Sequence, residues 1–252
     1  MSFDVAGETY DRFMGRWSGP LARQFVELAG LHAGQRALDV GCGPGALTEQ
    51  LVGRLGTSAV AAVDPSPSFV DVARQRLPGV DVRPGVAGRL PFADRSFDAA
   101  LAQLVVHFLP DPVAGLAEMA RVTRAGGVVA ACVWDLGGER GPLTEFYRAL
   151  HDVDPSVADE SGLPGAREGH LAELFQAAGL REVESGSLTV RLGMATFEEW
   201  WQPFTLGVGR AGDALARLEE PDRRRVRDRC EQLLPAAPFE VSAAAWSARG
   251  VV

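Results

Sequence analysis

The stretch Ala37 to Thr48, ALDVGCGPGALT, constrains the fold more than any other part of the chain. A short apolar run, Arg36 to Val40, leads straight into a glycine-rich turn, and helix-forming residues follow over Ala46 to Leu55. Gly41, Gly43 and Gly45 carry no Cβ, so the backbone turns tightly there and lets a ligand approach closely. The helix N-terminus adds N–H groups that have no partner within the helix. A strand that feeds a helix through such a turn opens a strand–helix–strand unit, and these units build parallel sheets covered on both faces.

The same alternation runs on. A helix over Leu21 to Leu31 precedes strand one, and Ser58 to Val63 is strand two. Ser66 caps a helix to Leu77 in a Pro-flanked turn. Val80 to Arg83 and Phe97 to Val105 read as strands three and four. Asp111 to Val122 reads as a helix stopped near Gly126-Gly127, and Val128 to Trp134 as strand five. From Gly137 the texture turns to Gly, Pro and acids, with helices around Leu143 to His151 and Arg167 to Gly179, then a strand over Arg181 to Leu192. Thr196 to Leu234 is mostly helical and interrupts what is otherwise a hairpin to a last strand, Phe239 to Trp246. That block is expected to cap the sheet's carboxyl edge, where open α/β sheets bind ligands. The expected division is therefore an N-terminal covering segment and helix (1–32), a ligand-binding core (33–135), a variable insertion with strand six (136–195), a helical cap over the ligand site (196–237) and a C-terminal strand (238–252).

Composition excludes several chemistries. The chain has no Lys, Ile or Asn, so neither a Schiff-base lysine nor a phosphate-loop lysine is available. Its three cysteines, Cys42, Cys132 and Cys230, are too widely spaced for a zinc site or a disulfide framework, and no metal is expected. A net charge of −8 argues against nucleic acid as a partner. Arg223 to Arg229 is interleaved with acids and reads as a solvated, ion-paired helix. The longest apolar stretch, Ala99 to Pro110, is too short to span a bilayer, and the acidic N-terminus lacks the pattern of a signal peptide. The expectation is a soluble, cytoplasmic protein; the sequence leaves its oligomeric state open.

Asp64 ends strand two at AAVDPS, where an acid accepts hydrogen bonds from ribose hydroxyls, and with the glycine turn it points to a nucleoside-bearing cofactor. GCGPGA can be forced onto a dinucleotide fingerprint. However, Asp39, two residues before the first Gly, suits an ammonium better than a pyrophosphate. Together LDVGCGPG, VDPS, RLPFADRSFDAALAQLVVHFLPDP and RVTRAGGVVAACVW resemble the class I S-adenosylmethionine-dependent methyltransferases, in the subgroup with quinone-biosynthesis C-methyltransferases and many small-molecule enzymes.

The resemblance implies an α/β, Rossmann-like, mostly parallel seven-stranded sheet with helices on both faces, an antiparallel last strand and a small helical cap. It also implies S-adenosylmethionine as cofactor and a small-molecule acceptor. Asp39 and the backbone of Gly41, Cys42 and Gly43 would hold the methionine moiety, and Asp64 the ribose. Pro65 and Ser66 would shape the adenosine side, with Phe69 packing on adenine. Val86 and Ala87 stand where the family has an Asp and a small residue facing adenine; the acid is absent here. Gln103 would bond the methionine part, and Tyr10 and Arg16 would fold over the cofactor, Arg16 pairing with its carboxylate. His107, just past strand four, is the candidate general base. Asp135 and Glu139 are secondary candidates, and Trp200, Trp201, Phe204 and Trp246 are candidate acceptor-pocket or core aromatics. Two other readings stay open: a cofactor-binding scaffold without turnover, and an NAD-dependent oxidoreductase.

Overall fold

Continuous runs of Val, Ala and Leu form strands that are buried on both faces, so they show no polar alternation. The computed structural model describes residues 10–157 and 160–252. Its strands are β1 (Ala37–Val40), β2 (Val60–Asp64), β3 (Asp81–Pro84), β4 (Phe97–Gln103), β5 (Thr123–Trp134), β6 (Arg181–Met194) and β7 (Phe239–Val251). They form one seven-stranded sheet in the order β3-β2-β1-β4-β5-β7-β6. β1 to β5 are parallel. The last strand, β7, slots antiparallel between β5 and β6. Strand order reverses beside β1, and the carboxyl ends of β1, β2 and β4 open there into a crevice.

The helices are α1 (Arg16–Ala29), α2 (Ala46–Leu55), α3 (Pro67–Arg76), α4 (Pro112–Val122), α5 (Thr144–Val153), α6 (His170–Ala177), α7 (Phe197–Trp201), α8 (Gly209–Arg217) and α9 (Glu220–Leu233). α1 buries Trp17, Leu21, Phe25 and Val26 on one face and ends at Gly30, whose φ of 67° suits only a residue without strain in the left-handed region. Each such side chain contributes about 1.5–3 kcal/mol of burial. The core of that side joins α1, α2, α3, α5 and the cap helices. On the other side Leu116, Met119, Leu171 and Phe175 of α4 and α6 cover Leu38, Val40 and Ala100.

Several boundaries differ from the sequence expectation. α1 starts at Arg16 rather than Leu21 and carries Pro20 inside it. A wide helical turn, Asp11–Gly15, leads into it. α4 stops at Val122 and β5 begins at Thr123, and the ladder to β4 is irregular between Phe97 and Ala99, so Gly126-Gly127 lie within the strand. β7 runs to Val251, and β4 ends at Gln103. Residues 1–9 of the expected N-terminal cover lie outside the described residues.

The cap packs along α5, with Arg229 bonded to Asp152 at 2.6 Å. Trp200, Trp201 and Phe204 are buried, and Phe204 stacks on Phe146 at 4.4 Å between centroids. These aromatics form core between cap and sheet. Acids on α9 and its neighbours pair with Arg224, Arg225 and Arg227. No helix among the described residues is long and apolar enough to cross a membrane.

Candidate functional site

The crevice holds a cavity of about 580 Å³, within the range of small-molecule sites. Asp64 closes one part of it at the end of β2. Its Oδ2 accepts from the Gly43 N–H and its Oδ1 from the Ser66 N–H, both at 2.8 Å. Each oxygen keeps a further acceptor position. Burial raises the pKa of this carboxyl, and the two backbone bonds oppose the rise. Pro65, Ser66, Phe69, Val86 and Ala87 line the same cavity, with Gly41, Gly43 and Gln103. Phe69 lies 5.2 Å from Tyr10, centroid to centroid. Ser66 occupies the cap position of α3 without a side-chain cap bond; its hydroxyl pairs with that of Ser68 at 2.9 Å.

The N–H groups of the glycine turn are already spent. Gly41 and Cys42 both donate to the Val63 carbonyl, at 2.8 and 3.0 Å, and Gly45 donates to Cys42. Gly43 is committed to Asp64. Pro44 has none. The backbone N–H groups of these turn positions are thus committed within the protein, whereas the donors expected from the sequence belong to the N-terminus of the following helix, Ala46–Leu55, which these bonds do not occupy. Gly41 is required by close approach as well as by its φ of 73°, since a Cβ there would lie 2.5 Å from Val105 Cγ2.

Beneath the turn Asp39 is buried, and the Thr48 hydroxyl of α2 donates to its Oδ2 at 2.6 Å. Its Oδ1 is buried with no hydrogen-bond partner among the described residues. Burial pushes the Asp39 pKa up to about 7, the Thr48 hydroxyl opposes this, and Asp64 adds to it. Gln103 donates from Nε2 to the Ser18 carbonyl at 3.0 Å, while its Oε1 is buried with no partner among the described residues. Asp39, Gln103, Cys42 and Ser18 line one small hollow beside the large cavity. Two buried acceptors in one hollow suit a donor-rich cation such as an ammonium. Cys42 lines it with a thiol that burial pushes well up, so it is no nucleophile.

A third hollow lies beside Phe13, Met14, Trp134, Leu136 and Leu143, walled by Val208 to Ala211 of the cap. His107 lines it, and does not line the large cavity; its neighbour Phe108 lines both. The His107 ring is buried with Nδ1 unpartnered among the described residues, and burial with nearby Arg210 lowers its pKa to about 3. It is therefore neutral near pH 7 and a weak proton acceptor. Trp134 Nε1, in the same lining, is also without a partner among the described residues. Arg210 and Glu160 form an ion pair of 3.8 Å in its lining.

Tyr10 and Leu104 line all three spaces. Leu104 sits at φ 60°, a strained conformation for a branched residue, at the point where the spaces meet. Nothing in the sequence marks Leu104, Ser18, Thr48 or the wall from Val208 to Ala211 as site residues.

Arg16 is not brought to the site. Its guanidinium bonds the Glu199 carbonyl at 3.1 Å and Met194 Sδ at 3.2 Å, anchoring α1 to β6 and α7. Asp135 is held by the Gly138 N–H at 2.8 Å and Arg140 at 2.5 Å, and Glu139 by Arg148, so both serve the loop after β5.

A profile of the methyltransferase domain matches residues 38–131. An uncharacterised methyltransferase of Mycobacterium tuberculosis is 39% identical over 166 residues, 65% of each chain; the chain thus spans about two thirds of that relative. A demethylmenaquinone methyltransferase of Mycobacterium sp. (strain KMS) is 35% identical over 183 residues, covering 66% of this chain and 76% of that one. Phosphoethanolamine N-methyltransferase 2 of Haemonchus contortus, solved with S-adenosyl-L-methionine, shares the fold with a TM-score of 0.59 at 18% identity, over 97% of this chain and 56% of that one.

Proposed function

The chain belongs to the class I S-adenosylmethionine-dependent methyltransferases, and from that premise we propose that it moves the cofactor's methyl group onto a small apolar or aromatic acceptor. The observation that carries this reading is the partnerless Asp39 Oδ1 beneath a glycine turn whose own N–H groups are spent. That arrangement suits the cofactor's ammonium and sets a carboxylate beneath the turn, which disfavours an anionic pyrophosphate and with it the dinucleotide alternative.

When bound, S-adenosylmethionine supplies a methyl group on a sulfonium sulfur. Asp64 accepts from the ribose hydroxyls. Asp39 and Gln103 accept from the ammonium, and Phe69 packs beside the base. Tyr10 and Leu104, shared by the three spaces, divide cofactor from acceptor and exclude water from the line between them. The hollow of Phe13, Met14, Trp134, Leu136 and Leu143, about 60 Å³, takes the reacting end of the acceptor only. A neutral, weakly basic His107 favours acceptors acidic enough to ionise near neutral pH, such as electron-poor phenols and 1,3-diketones. The name of the demethylmenaquinone methyltransferase relative is in keeping with such an acceptor.

The test is S-adenosylhomocysteine release from S-adenosylmethionine with a panel of hydroxylated aromatics and 1,3-diketones. Turnover with members of the panel, lost in Asp39→Asn, is expected. Cofactor binding without turnover on any acceptor class would favour the scaffold reading.

A further inference from the structure

We infer that the Trp134 indole selects the acceptor by donating a hydrogen bond to one of its carbonyl or enolate oxygens. The inference rests on the acceptor reading of the hollow given above. Trp134 is 4% exposed and lines that hollow, and its Nε1 has no hydrogen-bond partner among the described residues. A buried indole N–H ordinarily finds a partner, because an unpaired donor forfeits the bond it makes in water. It donates and never accepts, so the atom that answers it carries a lone pair. His107 Nδ1, in the same lining, donates or accepts according to the tautomer and imposes no such choice. The two charged residues of the lining, Arg210 and Glu160, answer each other at 3.8 Å.

The strand sets the position of this donor. Trp134 ends β5, opposite Ala245 of β7. Alternation along β5 puts Ala130, Cys132 and Trp134 into the core on the α1 and cap side, and Val129, Ala131 and Val133 into the other. The indole packs edge-on with Trp17 of α1, at 6.3 Å between centroids and 82° between planes. A strand residue braced by a helix keeps its donor in one place, which suits recognition better than a loop does. Trp134 does not line the cofactor cavity, whereas Tyr10, Leu104 and Phe108 line both spaces. The oxygen held at Trp134 therefore belongs to the acceptor and not to the cofactor.

The test loads the protein with S-adenosylhomocysteine and titrates it with indane-1,3-dione or with indane, which has the same ring frame without the oxygens. Nitrogen–proton correlation spectra follow the five indole N–H signals, with that of Trp134 assigned through its own backbone amide. The dione should move the Trp134 signal downfield, and indane should not. Trp134→Phe keeps a ring against Trp17 and lacks the donor. It should bind the dione about fivefold more weakly, the order of one hydrogen bond, and indane as before. The wild-type spectra decide the matter by themselves if that variant does not fold. A dione that binds without moving the Trp134 signal, an equal shift with indane, or a folded Trp134→Phe with full affinity for the dione overturns the inference and leaves the proposed methyl transfer in place. Binding of neither probe by the wild type overturns the acceptor reading of the hollow as well.

Discussion

The Gly43 N–H donates to Asp64 Oδ2 at 2.8 Å, tying the glycine turn to the end of β2 by a bond outside the strand ladder. With Ser66 on the other oxygen, Asp64 organises two ligand-facing loops before it meets any ligand. Asp64→Ala leaves two N–H groups without their acceptor and should destabilise the ligand-free protein by about 1–3 kcal/mol. Asp64→Asn keeps one acceptor oxygen and should fall between that variant and the wild type. Urea midpoints of the three proteins check the order.

Two glycines of the turn should fail differently. A Cβ on Gly41 meets Val105 at 2.5 Å, whereas a Cβ on Gly43 meets nothing within 4 Å. Gly43 lines both the large cavity and the Asp39 hollow. Gly41→Ala should therefore lower Tm markedly, and Val105→Ala should recover part of the loss. Gly43→Ala should cost only about 1 kcal/mol, for its φ of 52°, yet weaken S-adenosylhomocysteine binding far more than that loss explains. Paired melting and titration of both variants separate the two effects.

Asp39 sets a pH dependence of its own. Its pKa is raised by burial to about 7 in the native protein, against about 4 in the unfolded chain. The native state thus keeps a proton that the unfolded chain has released. Stability from this group is full below about pH 4, falls as pH rises to about 7, then levels. Asp39→Asn should remove that decline, which denaturant midpoints at pH 5 and pH 7.5 will show.

His107 works in the opposite direction over an overlapping window. Its pKa is lowered to about 3, so the unfolded chain takes up a proton near pH 6.5 that the native state refuses. Stability is lost as pH falls from about 6.5 towards 3. His107→Leu should flatten this acid limb whatever it does to overall stability. The same variant should also leave the pH–rate profile without losing an inflection near pH 6.5, because the native imidazole does not titrate there.

What was legible in the sequence was what local chemistry decides. The helix Ala46–Leu55 appears with the expected ends, because glycines bound it on both sides. β1 and β2 appear because their residues are apolar without alternation. Asp39 and Asp64 follow from their places at strand ends. Arg16 was not legible: a long side chain on α1 bonds whatever the fold brings near, and that is β6 and α7, far along the chain. Nor was His107. In the short turn Val106–Phe108, one position decides which ring reaches the large cavity, and Phe108 takes that place. The hollow proposed for the acceptor is assembled from the N-terminal turn, β5 and the cap, so no local pattern announces it.

The most direct test of the account is calorimetric titration of S-adenosylmethionine, S-adenosylhomocysteine and NAD into the wild type and Asp64→Ala. The first two should bind the wild type in the micromolar range and at least about tenfold more weakly in the variant, with no heat from NAD. Binding of NAD in place of the sulfonium cofactor, or full retention of cofactor affinity in Asp64→Ala, would contradict it.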